Sequence, residues 1–225
     1  GGRIPMRLMA RRSLAKHVDY KEWFKISKQG FEFFEKYFDY PYPYKKYDQL
    51  IVPDFNAGAM ENVAAVTFTE SYVYRGRAMR YQRERRANTI LHEMAHMWFG
   101  NLVTMKWWND LWLNESFATY MSYKALSANT EYKEAWRLFT GRKTWAIWED
   151  ELKTTHPIEG NIKDTHEART SFDGISYGKG GSVLKQLDYL IGENAFRTGL
   201  AHYFKEYAGQ NTILKDFMSS LATGT

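Results

Sequence analysis

The residues of this 225-residue sequence with the clearest chemical potential form the run His92-Glu93-Met94-Ala95-His96. On an α-helix, residues four apart lie on one face about a turn apart, so His92 and His96 can aim ring nitrogens at one ion. Glu93, beside the first histidine, can reach a water on that ion. Two neutral imidazoles suit zinc, and a catalytic zinc takes three protein ligands while keeping a fourth position open. A further donor is therefore required downstream. Glu115 supplies it, with eighteen residues between it and His96, in the stretch Leu111-Trp112-Leu113-Asn114-Glu115-Ser116-Phe117. That stretch is strongly apolar, and a carboxylate without a partner would be costly to bury there. There is no cysteine, so disulfides and thiolate ligands are excluded and any zinc must rest on histidine and carboxylate. The pattern implies a hydrolytic centre built around one zinc ion. The plainer alternative is a helix whose histidines are half-buried core residues.

Helices must position these groups. Arg83 to Phe99 carries the paired histidines, with Ile90, Leu91, Met94, Ala95 and Trp98 on its apolar side and Gly100-Asn101 as terminator. Leu111 to Leu126 reads as the helix bearing Glu115. Upstream, Val18 to Tyr37 has aromatic residues at helical spacing, interrupted by Gly30 and stopped by the prolines of Asp39 to Tyr44. Tyr47 to Pro53 and Val63 to Thr69 read as short strands on either side of a loop, Asn56 to Asn62. Residues 1–16 are basic and irregular and read as a connecting segment. Leu102 to Trp108 reads as a short strand or wall, with Trp107, Trp108 and Trp112 expected in the core. Beyond Glu115, Glu131 to Trp148 predicts a helix and Lys153 to Asp173 a long polar loop. Helical patterns then run over Ile175 to Ile191, Glu193 to Tyr207 and Ile213 to Leu221. The fold class is helix-dominated α/β, with a small N-terminal sheet followed by helices.

Composition narrows the partners. At 44% hydrophobic and 25% charged the chain is ordinary globular material, and its 17% aromatic content points to large cores and clefts. The net charge of +5 is modest. Six arginines crowd residues 75–86, yet apolar and acidic residues between them favour a solvated helix start over a nucleic-acid surface. No apolar run approaches the ~20 residues needed to span a membrane. The lack of cysteine and of an export signal fits the cytoplasm. The sequence opens on Gly1-Gly2-Arg3 without methionine, as expected of part of a longer chain.

A second motif precedes the helix of histidines. Gly58-Ala59-Met60-Glu61-Asn62, taken with His92-Glu93-Met94-Ala95-His96 and Asn114-Glu115, resembles the aminopeptidase N family of zinc metallopeptidases. Tyr177-Gly178-Lys179-Gly180 matches that family's Tyr-x-Lys-Gly element. The likeness runs from about Arg3 to the C-terminus and is greatest to bacterial aminopeptidase N of the actinobacterial kind. It implies that residues 1–225 are a thermolysin-like (gluzincin) catalytic domain, with an N-terminal β domain and a C-terminal helical domain lying outside them. It further implies zinc on His92, His96 and Glu115, Glu93 as general base and Tyr177 as a donor to the oxyanion. Glu61 would pair with the free N-terminus of a peptide substrate, while the backbone of Gly58 and Ala59 lines the groove. The sequence departs from many members at Ala64, where they carry glycine. Two rivals stay open: an endopeptidase or related hydrolase on the same scaffold, and a zinc-dependent peptide-binding domain without catalysis.

Overall fold

Asp19 opens the first helix by accepting a hydrogen bond from the Glu22 amide, and α1 then runs over Tyr20–Phe38. It buries Trp23, Ile26, Phe31, Phe34 and Phe38 on one face, as the spacing predicts. A left-handed Asp39 ends it just before Tyr40-Pro41. Gly30, a weak helix former, sits where α1 presses on α2 (Arg80–Ala95). A Cβ there would lie 2.7 Å from Leu91 Cδ2 and Met94 Sδ, so the ends of these two side chains would have to shift to admit one.

The computed structural model describes residues 4–224, and residues 1–3 and 225 lie outside the description. Within it a four-stranded sheet is formed by β1 (Met6–Ala10), β2 (Tyr47–Val52), β3 (Ala59–Met60) and β4 (Ala65–Thr69) in the order β1-β2-β4-β3. The β1-β2 and β2-β4 pairs are parallel and the outer β3 is antiparallel to β4. Strand β1 corrects the reading of residues 1–16 as a connecting segment. Its residues alternate between partly buried Met6 and Leu8 and exposed Arg7 and Met9, the two-residue period of a strand. The crossover from β1 to β2 is α1, since parallel neighbours need a long connection.

Helix α3 (Leu111–Asn129) is buried along almost its whole length and forms the centre of the helical layer, against α1, α2, α4 (Ala135–Asp150) and α6 (Gly180–Ile191). The stretch expected to be loop from Lys153 to Asp173 contains one short helix, α5 (Thr165–Thr170). It is capped by Asp164, whose carboxylate accepts from the His166 and Glu167 amides. Six residues are too few to show a helical period in sequence. The helix expected from Ile175 begins as a π-helical turn, Ile175–Lys179, that runs into α6. Helices α7 (Glu193–Tyr207) and α8 (Leu214–Ala222) close the layer. A two-residue parallel ribbon of β5 (Thr104–Met105) and β6 (Asn211–Thr212) joins this end of the chain to the segment after α2. An aromatic spine, Phe38, Phe99, Phe117 and Phe217, links the helices, with Phe99 and Phe117 stacked at 4.2 Å. The result is the helix-dominated fold with a small sheet that the sequence implies.

Candidate metal centre

The C-terminal turn of α2 and the first turn of α3 face one another, bringing together residues far apart in sequence. His92 Nε2 lies 3.3 Å from Glu115 Oε2, His96 Nε2 lies 3.4 Å from the same oxygen, and the two Nε2 atoms are 3.1 Å apart. A tetrahedral zinc with bonds of about 2.0–2.1 Å holds its ligand atoms roughly 3.3–3.4 Å apart. The triangle therefore has the dimensions such an ion requires. The chemistry of the donors agrees. His96 Nδ1 faces two acceptors, the Phe99 carbonyl at 3.1 Å and Asn114 Oδ1 at 2.7 Å, so it carries the hydrogen. In the neutral ring Nε2 then offers a lone pair, aimed at the His92 nitrogen and a carboxylate oxygen. Three acceptors converging on one point, two of them buried, want a cation between them.

Asn114 is the residue that sequence reasoning passes over. Asn109 and Asp110, a few residues earlier, are the sequence's own candidates for a partner of the two histidines, though spacing selects neither. Yet Asn109 Oδ1 accepts from the Ile162 amide, and Asp110 makes no bond to either histidine. Asn114 does the work instead: its Oδ1 accepts from His96, and its Nδ2 donates to Glu61 Oε1 at 3.2 Å and Glu115 Oε1 at 3.4 Å. One amide thus orients both prospective ligands on its side and reaches the motif loop. Room for it comes from Gly100, with φ of +112°, where a Cβ would collide with the Asn114 side chain. The only sequence signal was its place beside Glu115.

The motif loop is brought in by the sheet. Ala59 and Met60 form the outer strand β3, and Glu61 follows directly. The Asn101 side chain, just past α2, donates to the Glu61 carbonyl at 2.8 Å and fixes the loop over the histidines. Glu61 Oε1 then stands 4.0 Å from His96 Nδ1. Glu61, Glu93 and His96 are close enough to be a second ion-holding group. The His96 nitrogen on that side is the donor already engaged by Asn114, so it has no lone pair to give. Gly58 sits one step back, with its carbonyl accepting from the Thr69 amide in the sheet.

Tyr177 enters from the opposite wall on the π-helical turn. Its ring lies nearly parallel to that of His92 at 5.9 Å, with Trp145 and the Arg142 guanidinium behind it. Ser116, one residue past Glu115, donates to the Ser176 carbonyl at 2.5 Å and ties this turn to α3. The groups open onto a cavity of about 250 Å³ lined by Ala59, Met60, Glu61, Trp108, Phe172 and Tyr177 together with the histidines, Glu93 and Glu115. Trp108, expected in the core with its neighbours, is a cavity wall, and Trp107 is largely exposed and donates to the Ile162 carbonyl. Only Trp112 of the three is buried. Gly58 and Ala64 do not line the cavity.

Burial and mutual charge set the proton affinities. In the metal-free chain burial pushes Glu93 well above the usual carboxylate range, with Glu61 and Glu115 adding to the effect. Burial likewise raises the Tyr177 phenol, reinforced by Glu115 and Glu93, which keeps it a hydrogen-bond donor. Burial lowers His92. For His96 burial acts downward too, but the carboxylates of Glu61 and Glu115 outweigh it and raise the ring. Glu115 is opposed by burial and still held far below its ordinary value by the two histidines. A buried base beside a lone-pair triangle and a protonated phenol is an arrangement for water activation and oxyanion stabilisation.

Comparison with known proteins bears on the same residues. A family description, Peptidase family M1 domain, matches residues 23–225. Aminopeptidase N of Streptomyces lividans is 51% identical over 224 residues, covering 98% of this chain and 26% of that protein. Leucyl aminopeptidase of Saccharolobus solfataricus is 44% identical over 200 residues, covering 88% of the chain and 26% of its own length. Tricorn protease-interacting factor F2 of Thermoplasma volcanium is 45% identical over 200 residues, with the same two coverages. The chain spans about a quarter of the length of these relatives. With a match over nearly the whole chain, and with the histidine, glutamate and tyrosine positions gathered around one cavity, the chain belongs to peptidase family M1.

Proposed function

We propose that this chain holds one zinc ion on His92, His96 and Glu115 and removes single residues from the free N-termini of peptides. The observation that carries the reading is that the three-donor triangle and the Glu61 carboxylate open onto one cavity. Two of the relatives named above are themselves called aminopeptidases, which supports the same activity. Because those relatives are about four times as long, residues 1–225 are proposed as the catalytic domain of a larger protein.

Each residue has a task that its setting suits. Bound zinc supplies positive charge that lowers the pKa of water toward ~7 and polarises a carbonyl. Glu93, with its raised proton affinity, takes the proton of the attacking water and delivers it to the departing amine. Tyr177 remains protonated and donates to the oxygen of the scissile carbonyl as charge develops there; losing one such donor costs ~10²–10³ in rate. Glu61 pairs with the substrate ammonium in a partly desolvated pocket, a charge-assisted bond. The outer edge of β3 offers Ala59 and Met60 backbone groups to an extended peptide, as sheet edges commonly do.

The test compares aminoacyl-p-nitroanilides with their N-acetylated counterparts. Strong preference for the free amine, lost in Glu61→Ala, is the expected result. Equal cleavage of both substrates by the unaltered protein would overturn the aminopeptidase reading. Glu93→Gln should keep zinc and bind peptide while losing cleavage, which separates a catalyst from a binding domain.

A further inference from the structure

The phenol of Tyr177 can serve only if its main chain is held at the right height above the histidines. Its ring is confined sideways by His92, Trp145 and Arg142, but none of these fixes the position of the backbone. That backbone is a π-helical turn, a wide and uncommon conformation whose first amides lack the usual partners. Asp173 provides them. Its Oδ1 accepts from the amides of Ile175 and Ser176, each at 3.0 Å, and its carbonyl accepts from the Tyr177 amide at 3.1 Å. The other carboxylate oxygen, Oδ2, is bonded to His156 Nε2 at 2.7 Å. The second ring nitrogen of His156 is held by the Pro157 carbonyl at 2.7 Å. The polar segment after α4 is thus pinned by His156 to the start of the turn. At the same place the Gly174 amide donates to Glu149 of α4, and Lys179 at the end of the turn pairs with Asp150 at 2.8 Å.

We infer that Asp173, braced by His156, is a positioning residue for Tyr177: its carboxylate caps the π-helical turn and so sets where the phenol reaches into the cavity. Asp173 itself touches neither the histidine triangle nor the cavity, so its effect must pass through the tyrosine. The inference rests on the reading of Tyr177 as the oxyanion donor. It assigns a purpose to two residues that neither motif contains. It also explains why a carboxylate should stand four residues ahead of the tyrosine, where the chain changes from loop to π turn.

A double-mutant cycle in the zinc-loaded protein tests it. Asp173→Ala should lower kcat by about tenfold or more, with KM and zinc content held, and by no more than Tyr177→Phe. In the Tyr177→Phe background the same change should cost less than about twofold, because the residue through which it acts is gone. Asp173→Asn keeps an acceptor oxygen for the two amides and should restore kcat to within about threefold of the unaltered protein. Should Asp173→Ala not fold, His156→Ala removes only the brace and should lower kcat less, again without effect in the Tyr177→Phe background. Losses that simply add in the cycle, or an unchanged kcat in Asp173→Ala, would overturn the inference. Full activity in Tyr177→Phe would instead overturn the role given to the tyrosine itself.

Discussion

Asn114 shows how a neutral side chain can govern a charged site. It donates to two carboxylates and accepts from a ring N–H, and a change to aspartate removes the donor while adding a third negative charge beside Glu61 and Glu115. Partners that orient metal ligands in this way are typically worth 10–100-fold in affinity. Asn114→Asp should therefore weaken zinc binding by about that factor, measured by competition with a chromophoric chelator. Unaltered affinity would mean that the amide merely fills space. The contrast with the ligands is instructive about what sequence can carry. His92, His96 and Glu115 were legible because one ion demands particular donors at particular spacings. Glu61 and Tyr177 were legible only through the motifs around them, since an isolated glutamate or one of sixteen tyrosines says nothing. Asn114 was not legible, because an amide bonded across two helices obeys no spacing rule, and the collision-free space at Gly100 exists only in three dimensions.

Among the elements, the sheet holds the clearest disagreement between local preference and observed backbone. Ala64, just ahead of β4, has φ of +56°, a left-handed conformation that costs an L-residue about 1–2 kcal/mol. Its carbonyl accepts from the Asp48 amide and from Lys46, so the register of β2 and β4 fixes it there. The sequence departure from glycine at this position thus bears on strain, and not on the cavity, which Ala64 does not line. Ala64→Gly should raise stability by about 1 kcal/mol, or roughly 2–4 °C in Tm, with the free-amine preference unchanged. A lower Tm would show that the left-handed turn carries no strain. The two long helices of the site were readable from apolar periodicity. The short pieces β1, α5 and the π turn were not: β1 lies in a basic stretch whose apolar pattern reads as irregular, and six or fewer residues leave no helical period in the other two.

For the molecule as a whole, the core does not depend on the ion. The aromatic spine and the buried apolar side chains of α1, α3 and α7 form one continuous hydrophobic cluster to which none of the three donors belongs. Chelation should leave the far-ultraviolet circular dichroism unchanged while lowering Tm. At free zinc a thousandfold above Kd the linked stabilisation is about 4 kcal/mol, roughly 8–16 °C for a chain of this size. Loss of helical signal on chelation would place the ion in the folding core instead. Acid should act through surface pairs that join distant elements. Hydrogen bonds and charge from Lys205 lower Asp39, those from Lys25 lower Glu131, and hydrogen bonds from Lys179 and Thr155, with the lysine's charge, lower Asp150. A carboxylate lowered in the folded state contributes stability above its unfolded pKa, near 4, and loses it as pH falls through the folded value. These pairs are exposed and individually small. The triple amide variant D39N/E131Q/D150N should have a lower Tm at pH 7 and converge with the parent below about pH 3. Parallel curves throughout would remove these pairs from the acid response.

The short reach between Glu61 and the histidines also sets a rhythm. The carboxylate oxygen stands 4.0 Å from the His96 ring, and one extended residue spans about 3.3–3.6 Å. On the proposed reading, a terminus anchored at Glu61 leaves room for a single residue before the point of cleavage. After each cut the new terminus lies one residue away from its anchor, and the shortened peptide must detach or advance by that length. On the proposed reading, a long peptide sampled partway through would appear as a ladder of products differing by one residue.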